Sequence, residues 1–469
     1  MLDIVEMNQT SDYREVTGKM RNRKWMTAGL AALVAVPLAL AGCGVNGGSN
    51  QAEGTASPTA STAPSAAANK DPIKLTMWGG VPPENGPQAV VDNWNKQNPD
   101  IQVEYVRFVN DDAGNLKLDT ALISSQPVDM YMSYDFSLYE KRIKAGNALD
   151  LSKFTDYNVD EKMGTGASLW KVDGKYYGVP TQKGMSFVWL NKDMLDAKGL
   201  KVPTDWDMDE FRDYANKLKG DKVWGAAQSD YYFNVPINGS MVKQDLQLTK
   251  PDGTSAFDNP LTVKDLQVYS DMMFKDKSIM PHTEQITSKP ALDQMFVKGE
   301  AAMLFSTNQI FRTTNNLKDY PRTFKVAAAP APKVNKDQKD YINAGGLGDV
   351  LSINPRTKKP EAAWKFMKWY SDMGMLPMAA GGRVPSSKDF PADEAIALMF
   401  KGVENTYDID SIKRVMFGSL PLGLSRLDKK TGIEQQVIYD KVFTQKLTPE
   451  EGAKELARVH NENLQAAKK

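Results

Sequence analysis

Between Ile73 and Met132 the chain alternates short strand-like runs with helical stretches, and this order restricts the fold more than any other feature. Ile73-Lys74-Leu75-Thr76-Met77-Trp78 has a period of two and ends at Gly79-Gly80, the mark of a strand closed by a turn. Ala89, Val90 and Trp94 then recur at near-helical spacing until Pro99-Asp100. Residues 101–106 form a second alternating run, 116–124 a second helix and 128–132 a third strand. A β-α-β-α-β order implies a parallel sheet with helices packed on it. The pattern restarts after Pro180 with a strand at 187–190 and a helix striped by Met208, Phe211, Tyr214, Ala215 and Leu218. Further helices are expected at 262–276, 288–298 and 360–372, with Pro290 and Pro360 in first turns. Thr448-Pro449-Glu450-Glu451 places a cap, an N1 proline and a capping-box glutamate in order, opening a terminal helix to about Ala466. Trp94, Trp364, Phe366 and Trp369 lie on these helices and read as core. No repeat of fixed period is present, so the expected fold is α/β in two lobes.

The front of the chain reads differently. Arg21, Arg23 and Lys24 precede an apolar run from Ala28 to Ala41. Its ~14 residues suit a signal peptide and fall short of the about 20 that a spanning helix needs. The run ends in Leu40-Ala41-Gly42-Cys43, which resembles the lipobox of bacterial lipoproteins. That resemblance implies acylation of Cys43 and cleavage before it. Asp3, Glu6, Asp12 and Glu15 are unusual in a signal n-region, and Met20 reads as the more typical start. From Gly44 to Lys70 the chain is mostly Gly, Ser, Thr, Ala, Asn and Pro. Such a segment cannot bury enough surface to fold and is expected to act as a disordered tether. The organisation expected is therefore a signal segment at 1–42, a tether at 43–70, one lobe from 71–182 plus 345–372, and a second from 183–344 plus 373–469.

Composition removes several function classes. Lys+Arg and Asp+Glu are both 58, so no basic surplus exists to neutralise a phosphate backbone, and nucleic acid is not expected as a partner. Cys43 is the only cysteine, which excludes an internal disulfide and a CxxC site. His282 and His460 are the only histidines, too few for a zinc site built from several of them, and no metal or cofactor is expected. No GxSxG, HExxH, P-loop or EF-hand pattern occurs. Paired carboxylates for glycoside hydrolysis are not excluded by sequence, so an exported carbohydrate-active hydrolase stays a rival reading, as does a binding protein for a peptide or another metabolite.

Six stretches in order resemble the extracellular solute-binding proteins of carbohydrate ABC importers, the family 1, maltose-binding-protein-like type. They are Asp173-Gly174-Lys175-Tyr176-Tyr177-Gly178-Val179-Pro180 with Trp189-Leu190-Asn191-Lys192-Asp193, Val202-Pro203-Thr204-Asp205-Trp206, Phe296-Val297-Lys298-Gly299-Glu300-Ala301-Ala302-Met303, Pro330-Ala331-Pro332, Gly345-Gly346, and Ala363-Trp364. The resemblance covers nearly all of 71–465. It implies a type II two-lobed fold whose ligand sits in a cleft between lobes joined by crossing segments near 181–186, 344–348 and 371–375. Gly184, Gly345 and Gly346 are the expected hinge glycines.

It also implies a non-enzymatic monomer that captures a mono- or oligosaccharide and delivers it to membrane permeases, held outside the cell membrane by its lipid. Sugars offer apolar C–H faces to aromatic rings and hydroxyls to polar side chains. Trp78 and Asp135 are expected in the cleft because they follow strands at a carboxyl edge. Tyr231 and Tyr232 are expected as a stacking platform in the second lobe. Asn308 and Gln309 stand where many relatives have Gly-Pro-Trp, so the usual stacking tryptophan is missing. Arg383, in Gly381-Gly382-Arg383-Val384-Pro385, and Lys183, at the first crossover, complete the expected contacts.

Overall fold

The computed structural model describes residues 71–229, 248–339, 341–419, 422–423, 427 and 429–467. The signal segment, Cys43, the tether, Tyr231 and Tyr232 lie outside the described residues. Among the described residues there are ten strands: β1 (Ile73–Gly79), β2 (Ile101–Arg107), β3 (Met130–Ser133), β4 (Val179–Asn191), β5 (Ala227–Gln228), β6 (Met303–Thr307), β7 (Val326–Pro330), β8 (Asn343–Ile353), β9 (Val384–Pro385) and β10 (Leu422–Gly423). The sheet order is β2-β1-β3-β8-β4-β6-β5, with β10 on β8 and both β7 and β9 on β4. The expected parallel unit is there, since β1 pairs in parallel with β2 and β3. β8 then joins β3 antiparallel, which makes the sheet mixed.

β4 organises the molecule. Its first part, Val179 to Met185, pairs antiparallel with residues 345–351 of β8. Its second part, Ser186 to Asn191, changes partners to β6 on one edge and β7 on the other. One strand thus belongs to both lobes, and it is longer than the 187–190 run that its apolar residues suggest. The first lobe packs Leu75, Met77, Trp94, Met130, Val179, Val350, Trp364 and Phe366 into one core. In the second lobe β4 is buried on both faces, and alternation sends Val188 and Leu190 to one apolar cluster and Phe187 and Trp189 to another.

Helical patterning is met closely at Met208–Leu218 and at Pro449–Ala466, where Thr448 and Glu451 close a capping box. The helix expected at 288–298 is instead two, His282–Ser288 and Leu292–Val297. Lys289 between them is left-handed, with φ 47°. Pro290 is the cause, because it excludes the residue before it from the right-handed helical region. The helix expected at 360–372 ends at Trp369 and loosens into a π turn, Tyr370–Gly374, at the third crossing.

Trp94 joins several elements of the first lobe. Its indole N–H donates to the Ile101 carbonyl at 2.8 Å, and its ring lies 5.1 Å from Phe366, edge-on, and 5.1 Å from Trp369. Replacing a buried tryptophan with alanine costs about 3–5 kcal/mol through the cavity left behind. Trp94→Ala is expected to lower Tm sharply while the folded fraction keeps its ligand affinity, measured by calorimetry on both proteins. A Trp94→Ala protein with unchanged Tm would contradict this packing.

Candidate functional site

The carboxyl ends of the strands in both lobes meet at the crossing. In the first lobe β1 ends at Gly79, β2 at Arg107 and β3 at Ser133. In the second lobe β6 runs antiparallel to β4 with Thr307 opposite Ser186, and β7 places Pro330 opposite Phe187. β5, parallel to β6, ends at Gln228. Loops at such carboxyl edges are where open α/β sheets hold ligands.

The floor between these edges is the β8–β4–β9 ribbon. Gln182, Gly184 and Ser186 share one face of β4 by alternation, and Gly346 and Gly348 lie opposite Gly184 and Gln182. A Cβ on Gly348 would meet nothing within 4 Å, and one on Gly184 nothing nearer than 3.7 Å. These glycines leave the floor open to the backbone. Gly345 has a different reason: a Cβ there would come within 2.6 Å of the Gly184 carbonyl oxygen, so its absence lets the two crossing strands approach. The three expected hinge glycines therefore all sit where β4 changes partners.

Two polar devices bind the crossings to one another. The Asn308 Oδ1 accepts from the Met185 backbone N–H at 3.1 Å, and its Nδ2 donates to the Gly382 carbonyl at 2.5 Å. Asn308 thus ties the first crossing to the Gly381-Gly382 turn that follows the third. The Arg383 Nε–H donates to the Asp349 carboxylate at 3.4 Å, with both side chains buried. Burial pushes the Asp349 carboxyl up, while the Arg383 guanidinium pulls it back down, and the first effect is larger. Tyr134 and Tyr370 feel the same carboxylate, and burial raises both phenols. Gln182 also bonds Asp349, which ties the floor to the ion pair. Neither Gln182 nor Asp349 is among the sequence candidates. Asp349 carried a weak signal, being the carboxylate directly after the glycines of the second crossing.

The other candidates are placed as follows. Trp78 is buried and packs with Phe108, Leu118, Leu122, Val128 and Tyr131, with its indole nitrogen making no hydrogen bond. The strand runs one residue further than its alternation suggests, to Gly79, so Trp78 is inside β1 and alternation turns it under helix Asp112–Ile123. Asp135 stays exposed at the carboxyl edge of β3, but its Oδ1 caps helix Phe136–Lys144 by accepting from the Leu138 N–H at 2.8 Å. Arg383 and Asn308 are both buried at the crossing, and each already holds a partner. Lys183 is opposite Leu347 and Val384, on the face of β4 turned away from Gly184. Burial holds its ammonium pKa down. The Gln309 side chain is half-buried at the end of β6, beside Asn308. Among the described residues no three His, Cys, Asp or Glu side chains gather as a metal site would need.

Breaking a buried ion pair by removing one partner costs about 3–5 kcal/mol, because a charge is left behind without its mate. Arg383→Met is expected to destabilise the protein in that range. Asp349 already titrates above its unfolded value, so it favours folding less as pH rises; without Arg383 the effect grows. The loss relative to the unaltered protein should be larger at pH 8 than at pH 5, read from urea unfolding at both. A pH-independent loss would remove Asp349 from this account.

Comparison with known proteins places this architecture. The sequence profile described as bacterial extracellular solute-binding protein matches residues 81–374. A binding protein of Brucella abortus is 26% identical over 209 residues, 42% of this chain and 46% of that protein, so the match spans less than half of that relative's length. A multiple sugar-binding protein of Streptococcus mutans is 23% identical over 67% of this chain and 76% of its own. Among solved structures, an ABC substrate-binding protein from Listeria monocytogenes in complex with cycloalternan superposes with a TM-score of 0.67 at 19% identity, covering 84% of this chain and 100% of that one. Its fold is the two-lobed one described above. With most of the described body inside the matched span, this chain belongs to the bacterial extracellular solute-binding protein family.

Proposed function

We propose that this protein captures a carbohydrate between its lobes and delivers it to the permease subunits of an ABC importer, without chemical turnover. The observation that carries the reading is the convergence of both lobes' carboxyl edges on a glycine-lined, hydrogen-bonded floor. A ligand there touches both lobes at once, and the crossings at 181–186, 344–348 and 371–375 are where the lobes would rotate, with Gly184, Gly345 and Gly346 absorbing the backbone change. We read the lobes as 71–182 plus 345–372 and 183–344 plus 373–469. The sugar-binding name of the Streptococcus relative and the cycloalternan of the Listeria structure support a carbohydrate as the solute. The ligand contacts fall to Gln309 and Gln182 at the floor, to Asp135 through its uncapped oxygen, and to Tyr231 and Tyr232. The protein acts as a monomer at the outer face of the cytoplasmic membrane, held by acyl chains on Cys43. Two or more chains anchor stably where a single one is marginal.

Two measurements test this. Purified protein is titrated with maltotriose, raffinose and arabinotriose, followed by thermal shift and calorimetry, with mass spectrometry of the mixture. Binding of at least one sugar, recovered intact, is expected; a cleaved product would make the protein a hydrolase. The bound form should also scatter with a smaller radius of gyration, because a ligand that bridges both lobes favours the closed state. Separately, Cys43→Ala is expected to move the protein from the membrane fraction to the medium, and full retention in the membrane would rule out the lipid anchor.

A further inference from the structure

Helix Pro260–Phe274 carries a carboxyl group where its packing offers no reason for one. Asp265 is 0% exposed, and neither of its oxygens makes a hydrogen bond. Its helix is covered by helices Met208–Leu218, Lys429–Phe443 and Pro449–Ala466, and its buried neighbours Leu266, Val268, Met272 and Met273 are apolar. An apolar residue would fill this position without leaving a polar group unpaired, and unpaired buried groups are costly enough that each calls for a reason.

The surroundings supply one. Three phenols, Tyr269, Tyr341 and Tyr439, lie within electrostatic reach of Asp265. The Gln228 amide, at the carboxyl end of β5, reaches the Tyr269 hydroxyl. Tyr341 donates to the Pro332 carbonyl at 3.2 Å, two residues beyond the end of β7. Asn343, two residues after Tyr341 and first in β8, is buried with its Oδ1 also lacking a hydrogen bond. The cluster is therefore at the carboxyl end of the second lobe's strands, next to the crossing, where a ligand on the floor would enter this lobe. Burial pushes the Asp265 carboxyl well up, which favours its uncharged form. A neutral carboxyl both donates and accepts, and so can bond two adjacent hydroxyls at once.

We propose that Asp265, with Gln228, Tyr269, Tyr341 and Tyr439, forms a subsite in the second lobe that takes one uncharged ring of the ligand through a pair of neighbouring hydroxyls. The inference rests on the carbohydrate reading above and adds the residues and the neutral character of the ring they hold.

The test uses the full soluble body with maltotriose, raffinose and arabinotriose as probes. If none binds the unaltered protein, the carbohydrate reading fails and this subsite with it. If one binds, Asp265→Leu is expected to lose affinity by about ten-fold or more, the usual effect of removing hydrogen bonds to a ligand, while its Tm is equal or higher. Asp265→Asn, which keeps a donor and an acceptor, should lose less. Wild-type affinity in Asp265→Leu overturns the subsite. Should the leucine variant not fold, infrared difference spectra decide: the carbonyl band of the protonated acid, identified by its loss in Asp265→Asn, must shift when the bound probe is added. A band that stays in place while the probe is bound overturns the proposal equally.

Discussion

The structure depends on one strand serving two sheets. β4 is hydrogen-bonded to β8 up to Met185 and to β6 and β7 from Ser186 onward. Everything that joins the lobes is built around that change of partner. Asn308 fixes Met185 to the turn after the third crossing, and the Arg383–Asp349 pair lies beside the same ribbon. Backbone bonds run on both sides of the change, which falls between the adjacent residues Met185 and Ser186. A buried pair such as Arg383–Asp349 adds little net stability, yet it tolerates only one arrangement of its partners. It therefore defines how the crossings stack more than how firmly the protein folds.

Much of this was readable in the sequence wherever a residue's role follows from its own segment. The β1 and β2 runs, the Met208–Leu218 stripe and the Thr448 capping box all came out within a residue or a few, because period and cap chemistry are local. The burial of Trp78 was not legible because it turned on one additional residue of strand. Pro290 was read as opening a helix, yet its restriction on Lys289 ended one instead. The length of β4 was hidden as well, since Thr181 to Met185 form a strand only by finding β8 far along the chain.

The site itself was less legible. Asn308, Gln309, Arg383 and Lys183 were read as ligand contacts, but sequence could not say that Asn308 and Arg383 also hold partners within the protein. Asp135 was seen at its edge, but not as a helix cap. Asp265 gave no signal at all. A Lys-Asp pair in the middle of an amphipathic stretch reads as solvent-facing, and it is the packing of helices Met208–Leu218, Lys429–Phe443 and Pro449–Ala466 on this one that buries Asp265. Buried polar groups of this kind are properties of tertiary packing, and no local pattern reports them.

The pairing of β4 and β3 with β8 has a further consequence, for the order of events as the chain folds. Thr181 Oγ1 donates to the Asp349 carbonyl across 168 residues of sequence, and β3 finds its neighbour only when residues 350–353 are available. Until then β3 shows an unpaired edge, and β4 has no partner for its first half. Contacts so distant along the chain close slowly, because loop entropy is lost before they form. The first lobe therefore cannot finish until β8 has been made, even though its three parallel strands emerge early.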